Sequence, residues 1–570
     1  MNEVISQIAA FISKETGLPF ADLPSLIEIP RDPQWGDYAF PCFSLAKSLK
    51  KSPQILAQNM ANNFRPHGLL AQCTPVGGYL NFHINRPAWA EVVLKKILAT
   101  GRDYGKTKEG AGKKVLIEFS SPNIAKPFHV GHLRSTIIGH ALCQIFAQKG
   151  YEIIRLNHLG DWGKQFGEVI TAFKRWGDIQ QLQSEPLKHL LEIYSRFHYE
   201  AQKEEALHEE ARGWFKRLEE GDAEARALWS QFREISIQEF KRLYSLLGIS
   251  FDSYEGESFY QDKIPSLIKR LRDQGLLVES EGAWVIPLDA YQMPPALILK
   301  SDEASLYLTR DIAAAEYRFQ KWQFHKLIYV VGAPQKLHFQ QLFKVLELMG
   351  YTWSNRLVHV DFGHVLGMST RRGEVVLLQD VIDEACQRAE RIIAERGEEK
   401  EARIGKIREE ERAHIARAVG LGAIIFNDLR TKRNKDVEFN WERILNFEGA
   451  TGPYCQNAHV RCASIMRKAP LHVSEQVDYE ILTSNEEFDL VKRLGSFPEV
   501  IDRAAAEYEP SLIALYMLEL AMSFNVFLAK YRVLSENPQS TPARLLLTYG
   551  VKEVLASCLS ILGMEALERM

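Results

Sequence analysis

The stretch Val115–Gly139, VLIEFSSPNIAKPFHVGHLRSTIIG, decides how the chain folds. Its first three residues are apolar and predict a buried strand. A polar turn with two prolines follows, and the spacing from Leu133 onward predicts a helix. His129-Val-Gly-His132 falls where that helix begins. The first turn of a helix offers unpaired N–H groups and the positive end of the helix dipole, so this position favours an anion such as a phosphate. The alternative is that both histidines are ordinary surface or capping residues.

The length and composition are typical of a multidomain globular protein. The 570 residues suffice for roughly three or four domains. The net charge of −3 means that any contact with nucleic acid must rely on local patches. No run approaches the ~18 apolar residues of a membrane span, and the first residues lack the features of a secretory signal. Seven cysteines without a C-x-x-C pair indicate reduced thiols. We therefore expect a cytoplasmic protein with no membrane contact and no structural metal.

The order of predicted strands and helices divides the chain into three units, which together make a multidomain α/β protein. Residues 1–110 predict a small N-terminal α/β domain. Residues 111–375 alternate strands and helices as in a Rossmann-like, doubly wound parallel sheet. Residues 376–570 are almost wholly helical, which indicates an α-helical bundle.

The middle unit carries two predicted insertions. One, near 168–236, is long, charged and helical, and a shorter one near 255–303 is β-like. We expect the sheet to resume with a strand at Leu306–Leu308 and another at Lys326–Val331. In such a sheet the carboxyl ends of the strands form the ligand crevice.

Several motifs together resemble one family of enzymes. His129-Val-Gly-His132 resembles the HIGH signature of class I aminoacyl-tRNA synthetases, although H-x-G-H alone also fits small nucleotidylyltransferases. Four further stretches resemble arginyl-tRNA synthetases in particular, and they span most of the chain: Glu118–Thr136, Leu159–Phe166, Tyr307–Asp311 and Glu568–Met570.

The resemblance implies a two-step reaction and three substrates. The carboxylate of L-arginine attacks the α-phosphate of Mg²⁺-bound ATP, pyrophosphate leaves, and the arginyl-adenylate then esterifies the terminal ribose of the cognate tRNA. Charge builds on phosphate oxygens during an in-line displacement, so positioned donors suffice. The resemblance implies that His129 and His132 are those donors, with Gly131 between them in the ATP site. It also implies a monomer.

Arginine itself requires acceptors for a planar cation, namely a carboxylate and further oxygens. Tyr307 and Asp311 are four residues apart and share a face on a helical turn. The resemblance implies that they hold the guanidinium, whereas on the residues alone Asp311 also fits a helix cap and Tyr307 a core position. For the other end of the substrate the resemblance implies a second set, with Glu118 close by: Ser121, Asn123, His132 and Gln335.

The second class I signature, K-M-S-K-S, is altered here. The corresponding segment, Gly367-Met-Ser-Thr-Arg-Arg-Gly373, has no lysine. The resemblance implies ATP or phosphate contacts from this segment at Gly367, Met368, Ser369, Arg371 and Arg372. Our hypothesis is that Lys126, three residues before His129, replaces the missing lysine; the alternative is a solvent-facing lysine.

Two regions are implied to bind tRNA. The helical tail would read the anticodon, and residues 452–461, GPYCQNAHVR, match the RNA-facing segment of the family. An aromatic side chain mixed with polar donors is typical of the recognition of unpaired bases. The candidate residues are Tyr454, Gln456, His459 and Arg461. The N-terminal unit would touch the tRNA elbow.

Two other interpretations stay open on the sequence. A class I enzyme for cysteine would need thiol-selecting metal ligands near the first strand, where Ser120, Ser121 and Asn123 offer none. The other is a catalytically inactive, synthetase-like RNA-binding protein. Arginine-dependent ATP–pyrophosphate exchange separates these interpretations.

Overall fold

The computed structural model describes residues 2–30, 32–124, 128–300, 306–366, 376–404, 408–438, 440–446, 449–535, 537 and 539–570. Within them the chain forms the three units that the sequence predicts: a small α/β domain, a parallel-sheet domain with two insertions, and a helical bundle.

The N-terminal domain is an antiparallel sheet of order β1-β3-β2 covered by helices. Its core includes Phe11, Phe64 and Phe82, whose rings meet edge to face. The elements are α1 (Asn2–Thr16), β1 (Tyr38–Pro41), α2 (Phe43–Leu49), α3 (Pro53–Asn63), β2 (Leu70–Val76) and β3 (Tyr79–Ile84).

Helix α4 (Arg86–Thr100) follows, and it packs away from the N-terminal sheet. Its Trp89 lies against Gly495 and its Leu94 against Gly550, both of the helical bundle, where an added Cβ would crowd the contact. Tyr104 continues this contact, since its hydroxyl donates to the carbonyl of Leu494 at 3.2 Å. The residues of this helix fall within the predicted first unit, but the helix packs on the third unit and so connects the two.

The middle domain has a four-stranded sheet of order β10-β9-β4-β5, and all three strand pairs are parallel. Five helices fill the first insertion, and a three-stranded antiparallel sheet lies in the second. The elements are β4 (Lys114–Glu118), α5 (Val130–Gln148), β5 (Glu152–Leu156), α6 (Gln165–Trp176), α7 (Ile179–Ser184), α8 (Pro186–Ala201), α9 (Ala206–Glu220), α10 (Ala223–Leu246), α11 (Ile264–Asp273), β6 (Val278–Ser280), β7 (Ala283–Ile286), β8 (Ala296–Leu299), α12 (Tyr307–Trp322), β9 (Lys326–Val330), α13 (Lys336–Leu348), β10 (Leu357–Val360) and β11 (Val365–Leu366).

The prediction of a strand at Leu306–Leu308 is wrong, because helix α12 begins at Tyr307. The short apolar alternation is the first turn of an amphipathic helix that buries Leu308, Ile312 and Ala315. Thr309 anchors that turn, since its hydroxyl donates to the carbonyl of Ile298 at 2.5 Å. A short apolar run fits a strand or a helical turn equally well in isolation, so its tertiary packing decides which of the two it forms.

Helix α5 lies at the centre of the molecule and is buried on nearly all sides. An added Cβ on Gly139 would overlap the ring of Phe119, so glycine permits the close approach of α5 to the end of β4. The fully buried Arg134 donates to the carbonyls of His364 at 3.0 Å and Arg433 at 3.1 Å, and it faces Asp428 at 3.4 Å. These contacts hold α5 to the end of the sheet and to the bundle at once.

The C-terminal bundle contains the long helices that the sequence predicts. Helix α19 is long and apolar enough to cross a membrane by length and composition alone. It packs against α18 and α20 and buries residues such as Ile513 and Met517, which accounts for its composition. The elements are α14 (Leu378–Ile404), α15 (Glu409–Leu429), β12 (Val437–Glu438), α16 (Trp441–Ile444), α17 (Gly452–Lys468), α18 (Asn485–Glu507), α19 (Ser511–Lys530) and α20 (Ser540–Ile561).

Candidate active site

A cavity of about 230 Å³ opens at the carboxyl ends of β4 and β9, the two central strands. The sheet grows outward in both directions from this pair, and such a switch point leaves a crevice for ligands. Glu118, Ser120 and Ser121 reach the cavity from the end of β4, and Val331 and Gly332 reach it from the end of β9.

One hydroxyl joins the two strand ends. Ser135 of α5 donates to the carbonyl of Val330 at 2.8 Å and accepts from the N–H of Ser120 at 3.0 Å. Ser120 and Ser121 have φ values of 68° and 47°, and left-handed backbone costs non-glycine residues about 1 kcal/mol or more each. Buried hydrogen bonds offset this strain and fix the turn that carries Ser121 into the cavity wall.

The two histidines of the H-x-G-H motif cap helix α5. His129 Nδ1 accepts from the N–H of Gly131 at 3.0 Å, and His132 Nδ1 accepts from the N–H of His129 at 3.3 Å. Both histidines are thus helix caps, and this geometry has a chemical consequence. Because each Nδ1 accepts, the proton of each neutral imidazole sits on Nε2, which makes Nε2 a donor. A Cβ on Gly131 would lie 2.7 Å from His129 Cε1, so glycine is needed here.

Asp311 is the best-placed carboxylate for a cation. Its Oδ2 accepts from His338 Nε2 at 2.6 Å, and its Oδ1 lies 3.7 Å from His158 Nε2. Tyr307, one turn earlier on α12, also lines the cavity. Burial of the hydroxyl end and the nearby carboxylates of Asp311 and Glu257 raise the pKa of Tyr307 well above its usual range. Tyr307 is therefore a neutral hydrogen-bond donor and acceptor.

Glu118 lines the same cavity, but its charge is already balanced. Arg318, which is fully buried, donates to Glu118 Oε2 at 2.5 Å. The same guanidinium donates to His158 Nδ1 at 3.2 Å, which aims the other ring nitrogen of His158 at Asp311. Glu118 therefore offers the cavity an acceptor oxygen, while Arg318 balances its negative charge.

Glu257 is the acidic residue that our sequence analysis missed. It lines the cavity, and Arg310 contacts its Oε2 at 3.1 Å. Burial raises the pKa of Glu257 to about 7, with Asp311 adding to the shift and Arg310 opposing it. Glu255, two residues earlier, bonds Tyr317 and Lys321 instead. Both glutamates lie in one aperiodic segment, so no pattern in the sequence shows which of the two faces the cavity.

The cavity and its immediate ion pairs carry one unbalanced negative charge. Three carboxylates face it, those of Glu118, Glu257 and Asp311, and two guanidiniums oppose them, those of Arg310 and Arg318. With Glu257 ionised, these five groups sum to one negative charge, so a ligand with one positive charge balances them. The arrangement suits a polar monocation.

The structure brings together all seven residues predicted to bind arginine. They line the one cavity, with Gly131 of the motif beside them: Glu118, Ser121, Asn123, His132, Tyr307, Asp311 and Gln335. Other predicted residues lie outside the described part of the chain: Lys126, Gly367, Met368, Ser369, Arg371 and Arg372. His338, His158, Arg310 and Arg318 join the site without having been predicted.

The four residues predicted to bind RNA on helix α17 fall into two pairs. Arg461 is exposed and donates to Asn525, and Tyr454 is half-buried. Gln456 and His459 are completely buried. Gln456 donates to the carbonyls of Ala418 and Glu565, both at 3.1 Å. This differs from our expectation of four RNA-facing side chains.

His459 holds the C-terminal tail as well. Its Nδ1 donates to the carbonyl of Leu567 at 2.8 Å, and burial lowers the pKa of its imidazole. Arg467 and Lys552 bind Glu568 in the same tail. The buried pair on α17 therefore fixes the last residues of the chain against the bundle.

Within the described ranges, no group of three or more His, Cys, Asp and Glu side chains is arranged so that it could hold a metal ion. The seven cysteines are all free thiols.

Family profiles match nearly the whole chain. The profile described as "tRNA synthetases class I (R), catalytic domain" matches residues 93–441. "DALR anticodon binding domain" matches residues 455–570, and "Arginyl tRNA synthetase N terminal domain" matches residues 2–84.

Full-length relatives agree with the profiles. The chain is 45% identical over 569 residues to an arginine–tRNA ligase of Halothermothrix orenii, with 99% of each chain covered. It is 46% identical over 553 residues to one of Clostridioides difficile, with 96% of each covered. Among solved structures, it is similar to arginyl-tRNA synthetase of Thermus thermophilus, with a TM-score of 0.82, 26% identity and full coverage of both chains. The enzyme of Plasmodium falciparum gives a TM-score of 0.80 at 26% identity, with 100% and 99% covered.

Proposed function

The chain belongs to the class I arginyl-tRNA synthetases, and from this premise we propose that it attaches L-arginine to its cognate tRNA at the expense of ATP, with the cavity between β4 and β9 as the arginine pocket. The observation that supports the assignment of the pocket is that seven residues from separate parts of the chain line one cavity with a single unbalanced negative charge. No observation favours an inactive RNA-binding protein.

At one end of the pocket, Asp311 and Glu257 bind the guanidinium of arginine. The carboxylates accept its N–H groups, and Tyr307 adds a neutral oxygen. Because Glu257 has a pKa of about 7 without a ligand, binding of the cation draws Glu257 into its ionised form. A neutral analogue does not supply the cation that balances these carboxylates, and such a loss rejects a ligand strongly.

At the other end, Ser121, Asn123, Gln335 and His132 bind the α-amino and carboxylate groups. Asn123 is held by a backbone pairing with Gly160, where a side chain on residue 160 would collide with the Asn123 amide. This fixed end presents the substrate carboxylate toward the start of α5. Attack on the α-phosphate then needs orientation more than acid–base chemistry.

The start of helix α5 binds ATP through Gly131, His129 and His132. The Nε2–H donors stabilise the charge that develops on phosphate oxygens, and the helix dipole adds to this. Mg²⁺ arrives on the phosphates of ATP, because this ion keeps several waters and needs few protein ligands. Residues Gly367, Met368 and Ser369 contact ATP from the second signature.

The missing second-signature lysine requires a replacement, and we retain Lys126 for that role, with Arg371 or Arg372 on the opposite side. The support is the sequence position of Lys126, three residues before His129. Unchanged ATP–pyrophosphate exchange in Lys126→Ala would remove Lys126 from the mechanism.

Transfer RNA binds through Tyr454 and Arg461 on α17, with the N-terminal domain at the tRNA elbow. Gln456 and His459 act indirectly, because they hold the C-terminal tail against the bundle. The protein works as a monomer in the cytoplasm, where its seven free thiols stay reduced.

Charging of arginine tRNA by the purified chain tests the function. We expect arginine-, ATP- and tRNA-dependent formation of arginyl-tRNA, and no charging with lysine or citrulline. Absence of charging together with tight tRNA binding would favour the inactive alternative.

A further inference from the structure

Helix α10 of the first insertion contacts both ends of the arginine pocket from outside, although none of its residues lines the cavity. Trp229 Nε1–H donates to the carbonyl of Asp161 at 2.9 Å. Two further side chains reach inward, Arg233 and Tyr244, which are 11 residues apart. At about 100° per residue they share one face of the helix and lie roughly 16 Å apart along it. The helix therefore spans the pocket lengthwise.

At the guanidinium end the contact runs through Asp161, a completely buried carboxylate. Arg233 Nε donates to Asp161 Oδ2 at 2.7 Å. Asp161 in turn accepts from the N–H and the hydroxyl of Ser258, both at 2.8 Å. Ser258 directly follows Glu257 in the chain, so the Asp161 carboxylate fixes the backbone on the C-terminal side of Glu257.

The Asp161 carboxylate also contacts the residue that precedes Glu257. A Cβ on Gly256 would lie 2.5 Å from Asp161 Oδ1, so the backbone before Glu257 packs directly on the carboxylate. Arg233 also donates to the carbonyl of Tyr254 at 3.2 Å. The backbone of Glu257 itself donates to the carbonyl of Leu159 at 3.0 Å. The position of Glu257 in the pocket thus depends on Asp161, and Asp161 on Arg233.

At the amino-acid end the contact is Tyr244, which is fully buried. Asn157 donates to its oxygen at 2.9 Å, and the tyrosine hydroxyl shares a hydrogen bond with Ser120 Oγ at 2.7 Å. Ser120 opens the strained left-handed turn that carries Ser121 and Asn123. A strained turn persists only where surrounding contacts over-determine it, and Tyr244 is one of those contacts.

We propose that helix α10 sets the specificity of the arginine pocket, with Arg233 as the positioning residue for the guanidinium end, through Asp161 and Glu257, and Tyr244 as the positioning residue for the amino-acid end. This inference rests on the proposed function. The first insertion is then more than an appended surface domain, since its last helix aligns the two halves of the site.

Three ligands distinguish what each end of the pocket contributes to binding. L-Arginine uses both ends, agmatine has the guanidinium but no carboxylate, and citrulline has the amino-acid end but no charge. We measure their dissociation constants for the full-length chain by calorimetry, or by competition in ATP–pyrophosphate exchange for weak binders. Arg233→Lys should weaken arginine and agmatine about tenfold and leave citrulline unchanged. Tyr244→Phe should weaken arginine and citrulline about threefold or more and leave agmatine unchanged.

Matched controls lie in the same insertion. Arg242→Lys alters an arginine of α10 that bonds Glu239 and Gln379, and Tyr194→Phe removes a hydroxyl that bonds Glu168. Both should leave all three constants unchanged. Ser258→Ala serves as a second, milder variant at the guanidinium end, should Arg233→Lys fold poorly, and it should affect the same two ligands.

The pattern among ligands excludes a merely structural effect, because partial unfolding lowers the number of sites and leaves the ratios of affinities unchanged. Equal weakening of all three ligands by either variant, or no change in any of them, would overturn the proposal. Failure of the wild-type chain to bind arginine would instead overturn the proposed function.

Discussion

The arginine pocket and helix α17 gather polar side chains in opposite ways. In the pocket, residues far apart in the chain converge on one cavity, because parallel strands end at one edge of the sheet. On α17, four polar residues within eight positions point in two directions. Relative to Tyr454, Arg461 lies about 20° away around the helix, whereas Gln456 and His459 lie about 140–160° away. The first pair faces outward and the second faces the core.

The difference teaches that clustering in sequence and clustering in space are separate matters. A strand end directs polar residues to a shared edge whatever their separation along the chain. On a helix the spacing alone decides which residues share a face. The following variants test this contrast. Pocket residues should govern the affinity for arginine, whereas on α17 the outward-facing residues should govern tRNA binding and the buried residues should govern stability.

Asp311→Ala should have the largest effect. It removes the carboxylate that pairs with the guanidinium and leaves a buried cation without a partner, which costs about 3 kcal/mol or more, or at least about a hundredfold in kcat/KM for arginine. The KM for ATP should stay nearly constant. Arginine-dependent ATP–pyrophosphate exchange measures both values, with the exposed Asp289→Ala as control. A loss below about fivefold would show that arginine binds elsewhere.

Tyr454→Ala and Arg461→Gln should come next. Loss of a stacking ring costs about 1–3 kcal/mol per base, so the KM for tRNA should rise about tenfold or more. The KM for arginine should not change in either variant, and the free energy of unfolding should not change in Arg461→Gln, because that side chain is exposed. Steady-state charging with varied tRNA tests this, and unchanged KM values in both variants would contradict it.

The affinity for arginine should depend on pH through Glu257. This carboxyl has a pKa of about 7 in the free protein, and the bound cation requires the ionised form. The dissociation constant should therefore fall about tenfold from pH 6 to pH 8 and level off above pH 8. Calorimetry at several pH values measures the curve. In Glu257→Gln the dependence should vanish, and a curve that persists in that variant would assign it to another group.

Gln456→Leu should have the smallest effect on charging. It removes two hydrogen bonds to buried carbonyls, so the free energy of unfolding should fall by about 1 kcal/mol or more. The KM for tRNA should change less than threefold. Denaturant unfolding and charging assays compare it with Tyr454→Ala. A larger change in KM than in that variant would mean that Gln456 contacts the RNA directly.

Much of the fold could be predicted because strong periodic signals fixed it. The strand–turn–helix of Val115–Gly139 and the long C-terminal helices appear where the patterns predict them. The short run at Leu306–Leu308 was assigned wrongly because three residues fit a strand or a helical turn equally. Helix α4 looked like part of the first domain, yet its packing on the bundle depends on contacts far away in sequence.

The pocket could be predicted in part for a similar reason. Motif residues such as Asn123 and Asp311 belong to recognisable local patterns, and the sheet brings them together. Glu257 follows an aperiodic loop whose path is fixed by Asp161 and Arg233, so only the three-dimensional structure shows that it, rather than Glu255, faces the cavity. On α17 the angular argument was available from the sequence and would have separated the two pairs.

The most direct test of the central claim is a crystal structure of the chain with L-arginine and a non-hydrolysable ATP analogue. We predict the guanidinium within hydrogen-bond distance of Asp311 and Glu257, the amino-acid end beside Asn123, and the phosphates at the start of α5. Arginine bound outside the cavity between β4 and β9, or with its guanidinium away from both carboxylates, would contradict this account.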